Sequence, residues 1–182
     1  FIVGYPVPVD ERQDLNKIAE PFNLSSCSVG QGPLLVTPVQ IAAMTNTLLT
    51  GGLYQAPSLV KEIRDNNGNS EQLGKPEAVR VLSPDTAQAL CSLLESVTRY
   101  GTGQAAMLMP GGSAGKTGSA QLGNDGESVN AWFTGYAPLS QPRYVVTALI
   151  ENGESGSVSA APVFKEIMEQ ILQLPTDAAG VN

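Results

Sequence analysis

Apolar positions recur at helical spacing twice in the first hundred residues, alternate through three short runs, and return to helical spacing near the end. The first helical run uses Val39, Ile41, Ala42, Thr45, Leu48 and Leu49; it opens on Thr37-Pro38 and closes on Gly51-Gly52. Threonine caps the first free amides, proline suits the first helical position, and glycine is the usual stop. A second run, Ala87, Leu90, Leu93, Leu94 and Val97, follows Ser83-Pro84, carries Asp85 at the positive end of its dipole and ends at Arg99 and Gly101. Residues 114–122, 131–137 and 144–151 then alternate as strands, and the turn-rich links at 123–128 and 138–142 predict an antiparallel meander. Last, Ala160, Val163, Phe164, Ile167, Met168, Ile171 and Leu172 predict an amphipathic helix. It has Pro162 in its first turn, turns Lys165, Glu166 and Glu169 outward, and covers one face of the strands.

The rest is less patterned. Residues 1–31, with Pro6, Pro8 and Pro21, read as irregular surface wrapping around one charged helix of about two or three turns within residues 10–20. Residues 58–64 alternate, turn at Asp65-Asn66-Asn67-Gly68-Asn69 and are expected to pair with residues 78–82 as a small ribbon. Helix, helix, three antiparallel strands, helix makes an α+β chain.

Composition narrows the function. With 182 residues and 42% hydrophobic content, the chain can bury one core, so residues 1–175 are expected to form a single domain or a large piece of one, with 176–182 as a tail. Phe1 in place of an initiating Met, with no leader-like segment, sets the expectation of an excised piece. A net charge of −7 argues against nucleic acid or an anionic membrane as partner. The longest apolar run, residues 144–150, has a strand's length and is too short to cross a bilayer, so no membrane contact is expected of this piece. Cys27 and Cys91 have neither C-x-x-C spacing nor a histidine beside them, so no metal site is expected, and no cofactor. Both read as packing residues, with a disulfide between them left open. The lack of histidine rules out a Ser-His-Asp arrangement and leaves acid–base work to lysine, carboxylates or hydroxyls.

Chemistry concentrates at Gly111-Gly112-Ser113-Ala114-Gly115-Lys116-Thr117-Gly118-Ser119-Ala120-Gln121, where a cation, hydroxyls and accessible backbone crowd together. Extended, the segment puts Thr117 and Ser119 on one face. A nucleotide-binding P-loop is one reading, but Pro110 stands where its first glycine belongs, and Gly118 follows where a helix should begin. The other is a Lys-Thr-Gly strand bordering an active site.

The surroundings favour the second. Gly30-Gln31-Gly32 with Val36-Thr37-Pro38-Val39-Gln40-Ile41-Ala42, then Gly51-Gly52 and Pro57, Gly101-Thr102-Gly103, Ala114 to Gln121, Ala131-Trp132-Phe133-Thr134-Gly135-Tyr136-Ala137-Pro138 and Ala160-Ala161-Pro162-Val163-Phe164 follow one another over about 135 residues. In that order they resemble the C-terminal half of a penicillin-binding protein transpeptidase domain, of the membrane-anchored, high-molecular-weight monofunctional class. The resemblance implies a partial β-lactamase/transpeptidase-like fold: three antiparallel strands of a five-stranded parent sheet, packed with helices. It implies a serine acyl-enzyme that cross-links peptidoglycan, D-Ala-D-Ala stem peptides and β-lactams as partners of the intact protein, and a place on the outer face of a bacterial membrane. It implies further that Lys116 supplies positive potential for a proton relay and the substrate carboxylate. Thr117 and Ser119 would bond that carboxylate, the Ser119 N–H would form half an oxyanion hole, and Gly118 would keep the strand open to the acyl group. Trp132 and Phe133 would pack beneath, while Gln31, Thr37 and Gln40 frame the site.

Two further family signatures, S-x-x-K and S-x-N, occur as letters at Ser58-Leu59-Val60-Lys61 and Ser128-Val129-Asn130. The first alternates like a strand where the family needs a helix, and it follows the Gly-Gln-Gly block instead of preceding it. The second is expected in the turn before Trp132. The nucleophile is therefore expected outside this chain. Alternatives are a non-catalytic fragment binding a carboxylate weakly, or a β-lactamase-related sensor. Without the two parent strands, the edge at 144–151 is expected to pair with a second copy.

Overall fold

The computed structural model describes residues 14–74, 76–122 and 128–173. The predicted charged helix falls partly outside them. What is described begins with α1 (Leu15–Ala19), capped by the Asp14 carboxylate on the amides of Asn16 and Lys17. A second helix, α2 (Pro21–Ser28), stands where the prolines had implied irregular chain. Pro21 starts this helix because the first helical position needs no amide hydrogen. Gly30 and Gly32, at φ of 82° and 87°, then carry the chain to α3 (Pro38–Leu49). Thr37 and Gln40 cap α3 reciprocally: the Gln40 amide donates to Thr37 Oγ1 at 3.2 Å, and the Thr37 amide donates to Gln40 Oε1 at 2.7 Å.

The buried side of α3 is Ala43, Thr45 and Thr47; of the predicted stripe only Thr45 is buried, Ile41, Ala42, Leu48 and Leu49 are half-buried and Val39 is exposed. Small side chains let α3 lie close to the sheet. The Thr45 and Thr47 hydroxyls donate back to the carbonyls of Ile41 and Ala43, so neither is buried unpaired.

The next segment corrects the expected ribbon. Two ribbons form: β1 (Leu53–Tyr54) with β4 (Val79–Arg80), and β2 (Glu62–Arg64) with β3 (Ser70–Gln72). The Asp65 carboxylate accepts from the amides of Asn67 and Asn69 and from the Asn69 side chain, and Gly68 adopts φ of 87°. That turn returns the chain at once, so residues 70–72 take the place expected of 78–82. Residues 80–82 are held instead by the Gly51 and Gly52 carbonyls, which accept from the Arg80 guanidinium and from the amides of Val81 and Leu82.

Ser83 caps α4 (Pro84–Arg99) through the Thr86 amide. Ala87 and Thr98 are its buried positions. Leu93, placed in the buried stripe by periodicity, is 63% exposed, because among the described residues neighbours pack against the side bearing Ala87 and Thr98.

The meander is present as predicted: β5 (Ala114–Leu122), β6 (Ser128–Ala137) and β7 (Tyr144–Gly153) form one antiparallel sheet in that order. Both later strands outrun the predicted bounds. Val129 faces Gly153 while Ala131 faces Ile150, so β7 carries one extra residue there, and Asn152 takes a φ of 53° that asparagine tolerates. A single π-turn (Gly156–Ala160) leads into α5 (Ala161–Gln173), which covers one face. Phe133 and Phe164 meet there at 4.7 Å between ring centres, among Ala131, Ala137, Ala148 and Met168. The opposite face, bearing Thr134, receives α3. The fold is α+β, with a sheet between helices. No helix among the described residues is long and apolar enough to cross a membrane, and both cysteines are free.

Candidate active site

Among the described residues β5 is an edge strand, with β6 on one side only. Alternation splits its side chains between two faces. Lys116 opposite Thr134 and Gly118 opposite Trp132 share one; Thr117 opposite Phe133 and Ser119 opposite Ala131 share the other. Lys116 is exposed, and its ammonium donates to the Thr117 carbonyl at 2.7 Å.

Three distant segments converge on this strand. The Gln31 side-chain amide donates to the Ser119 carbonyl at 3.0 Å. The Thr102 and Thr117 hydroxyls lie 2.7 Å apart. The Gly156 amide donates to Ser119 Oγ at 3.1 Å. The Ser119 carbonyl is thus turned away from β6, and in an antiparallel strand the N–H of the same residue points to the same side. The lysine, two hydroxyls and outward backbone polar groups line one open edge, suited to an extended anionic ligand.

Glycines make the convergence possible. A Cβ on Gly156 would lie 2.5 Å from the Trp132 carbonyl oxygen and 2.6 Å from that of Gly118, so only glycine lets the π-turn reach the strand. Gly118 itself faces Trp132, where a Cβ would sit 3.2 Å from that of the tryptophan. Phe133, the cross-strand partner of Thr117, is fully buried, whereas Trp132 is half-buried on the Lys116 face. Of the expected framing residues, Gln31 touches the strand; Thr37 and Gln40 act on one another at the start of α3.

The competing motifs fall elsewhere. The phosphate-loop reading fails because residues 111–117 run into a strand, leaving no helix N-terminus to receive phosphate. Ser58 to Lys61 belong to no helix, and the Ser58 hydroxyl donates to the Val60 carbonyl. Ser58 lines a groove of about 630 Å³ with Val39, Asn46 and Tyr144, beside β7 at the far edge of the sheet. Ser128 to Asn130 are the first residues of β6, not the expected turn. Ser128 faces Leu122, six residues along β5 from Lys116, or about 20 Å at strand rise.

Several polar features lacked a sequence signal. Thr45, Thr134 and Thr147 form a hydroxyl chain at 2.8 Å spacing that joins α3, β6 and β7 behind Lys116. Burial first, then the hydrogen bond its own hydroxyl makes to the Cys91 sulfur and the negative potential of Cys91 and Glu95, hold the Tyr136 phenol well above its ordinary pKa. Asn130 Oδ1 is buried and, among the described residues, finds no partner. Such pairings join residues up to 89 positions apart, a separation that no local pattern encodes. Among the described residues no cluster of metal-ligating side chains occurs.

The chain belongs to the penicillin binding protein transpeptidase domain family, whose model matches residues 2–169. It is 35% identical to penicillin-binding protein PbpB of Mycolicibacterium smegmatis over 170 residues, 83% of this chain and 26% of that protein. It is 31% identical to peptidoglycan D,D-transpeptidase MrdA of Haemophilus influenzae, over 81% of this chain and 25% of that protein. The solved structure of penicillin-binding protein A from M. tuberculosis as a penicillin G acyl-enzyme superposes with a TM-score of 0.75 at 27% identity, over 86% of this chain and 36% of that one. The chain therefore spans about a quarter to a third of the length of these relatives.

Proposed function

We propose that this chain, as residues 1–175, is the C-terminal part of a peptidoglycan D,D-transpeptidase domain and supplies the wall of its acylation site. In this reading a serine outside the chain attacks the carbonyl of a D-Ala-D-Ala stem peptide, releases the terminal D-alanine and passes the acyl group to an amine. Lys116 provides positive potential beside the relay, and Thr117 and Ser119 donate to the terminal carboxylate. The Ser119 N–H is half of the oxyanion hole, a donor whose loss typically costs ~10²–10³ in rate. Gly118 admits the acyl group. Benzylpenicillin is attacked as an analogue. Since peptidoglycan is the substrate, the site works outside the cytoplasmic membrane.

The observation that carries this reading is the convergence of Gln31, Thr102 and Gly156 on the Lys116 to Ser119 strand. Neither Ser58 nor Ser128 lies on an element suited to the missing nucleophile. A fluorescent penicillin tests both parts. The full-length protein carrying this chain is expected to label covalently, and Lys116→Ala to reduce labelling at least ~100-fold, while the 182-residue chain stays unlabelled. Labelling of the short chain, lost in Ser58→Ala, would place the nucleophile inside it.

The same reading extends to association. Among the described residues β7 pairs with β6 alone in its sheet, and an open strand edge pairs with what is available. The isolated chain dimerises through residues 144–151. Light scattering showing a monomer at high concentration, with fast amide exchange along those residues, overturns this.

A further inference from the structure

The Gly-Thr-Gly corner that follows α4 has no role in the chemistry proposed above, yet its geometry is closely determined. The amides of Gly101 and Gly103 both donate to the Val97 carbonyl, at 3.1 and 3.0 Å. A Cβ on Gly101 would sit 3.0 Å from Val97 Cα, and one on Gly103 would sit 3.0 Å from Val97 Cγ1 and 3.2 Å from the Phe133 ring. Backbone is thereby pressed against the end of α4 and the core. Thr102, the side chain between the glycines, is delivered to Thr117 Oγ1 at 2.7 Å.

A threonine hydroxyl owns one hydrogen and two acceptor sites. In a hydroxyl pair, one member donates and the other accepts. The buried chain shows how surroundings settle the direction: Thr45 gives its hydrogen to the Ile41 carbonyl, so Thr134 must donate to Thr45 and Thr147 to Thr134. At the exposed pair a ligand settles it. A carboxylate can only accept, so when it binds Thr117 it takes the Thr117 hydrogen, and Thr102 has to be the donor within the pair.

We propose that Thr102 is a positioning residue for carboxylate recognition: by donating to Thr117 Oγ1 it directs the Thr117 hydrogen toward the open edge of β5. Lys116 holds the same residue by its carbonyl, at 2.7 Å. Thr117 is thus fixed at backbone and hydroxyl by two neighbours. The consequence is selectivity for ligands with a free carboxylate. The inference rests on the transpeptidase reading above, because it assumes that Thr117 meets the ligand's carboxylate.

The test compares acylation of the full-length protein by benzylpenicillin and by its methyl ester, which keeps the reactive ring and lacks the anion. Thr102→Val is expected to slow the acid about tenfold, the worth of one hydrogen bond, and to leave the ester within about twofold. Thr102→Ser restores the acid rate. Thr102→Ala, which removes the hydroxyl without the branched shape, gives the same loss, and the melting midpoint separates this from misfolding. Adding Thr102→Val to Thr117→Val brings no further loss, since the two act as one unit. Equal slowing of acid and ester, or failure of serine to restore the rate, overturns the role of Thr102 and leaves the transpeptidase reading standing. If Thr117→Val and Lys116→Ala leave the preference for acid over ester unchanged, the carboxylate site fails, and the role of Thr102 with it.

Discussion

The β5–β7 sheet and the two ribbons within residues 53–80 are all antiparallel, but they are held in different ways. The sheet has strands of nine or ten residues, clamped between α3 and α5, with Phe133, Phe164 and Met168 fully buried. Ribbon strands have two or three residues, and Ile63 at the centre of β2 is 54% exposed. Sheet stability comes from area removed from water, which accumulates with strand length and needs covering layers. The ribbons rely on turns and ladder hydrogen bonds that water can replace. The candidate site lies on β5, the edge strand of this packed sheet, and not on the ribbons.

Breaking the sheet should have the largest effect. Phe133→Ala removes a fully buried ring packed on Phe164, on the residue facing Thr117 across the strands, and is expected to cost about 3–5 kcal/mol in denaturant unfolding. A loss below about 1 kcal/mol would mean that the core does not centre there. Next is Gly156→Ala, whose new methyl meets backbone at 2.5–2.8 Å. About 1–3 kcal/mol of destabilisation is expected, together with slower penicillin acylation of the full-length protein, because the π-turn must lift off Ser119. Normal acylation in a folded variant would show that the π-turn does not set the strand. Thr134→Val interrupts the hydroxyl chain and leaves the Thr147 hydrogen without its acceptor; about 1–3 kcal/mol is expected. Ile63→Ala in the ribbon should stay within about 0.5 kcal/mol, and a larger loss would erase the contrast between the two regions.

The smallest effect is a pH dependence of the ribbon turn. Bonds from the Asn69 side chain first, then from the amides of Asn69, Asn67 and Gly68, lower the Asp65 pKa below 3.8, the folded form favouring the carboxylate. For a lowered pKa, the contribution is complete above 3.8 and disappears as pH falls through the folded value. Acidification should therefore release the Asn69 side-chain amide, seen as a nuclear magnetic resonance shift that is absent in Asp65→Asn. A shift appearing instead on the alkaline side would show the sign to be wrong.

Much of this architecture was legible in the chain. Thr37-Pro38 and Ser83-Pro84 marked two helix starts because capping is local chemistry, and β5 was bounded correctly at both ends. Legibility failed where partners were distant. Leu93 fitted a helical stripe but is left exposed among the described residues, and residues 58–64 alternated convincingly yet gained a different partner from a tight turn. At the candidate site, Lys116, Thr117, Gly118 and Ser119 were visible as a motif. Gln31 was expected only as part of the frame, and Thr102 stood in a block without a role.

Sequence alone determined helices α3 to α5, the meander and the lysine-bearing strand, because caps, glycine stops and alternation act within a few residues of one another. Tertiary structure decided which ribbon strands pair, which face of α3 is buried, and how residues 31, 102 and 156 meet on β5. Those outcomes depend on close approach between segments tens of residues apart. There, the absence of a single Cβ at Gly156 or Gly103 settles whether contact forms, and nothing in the local pattern reports what lies opposite.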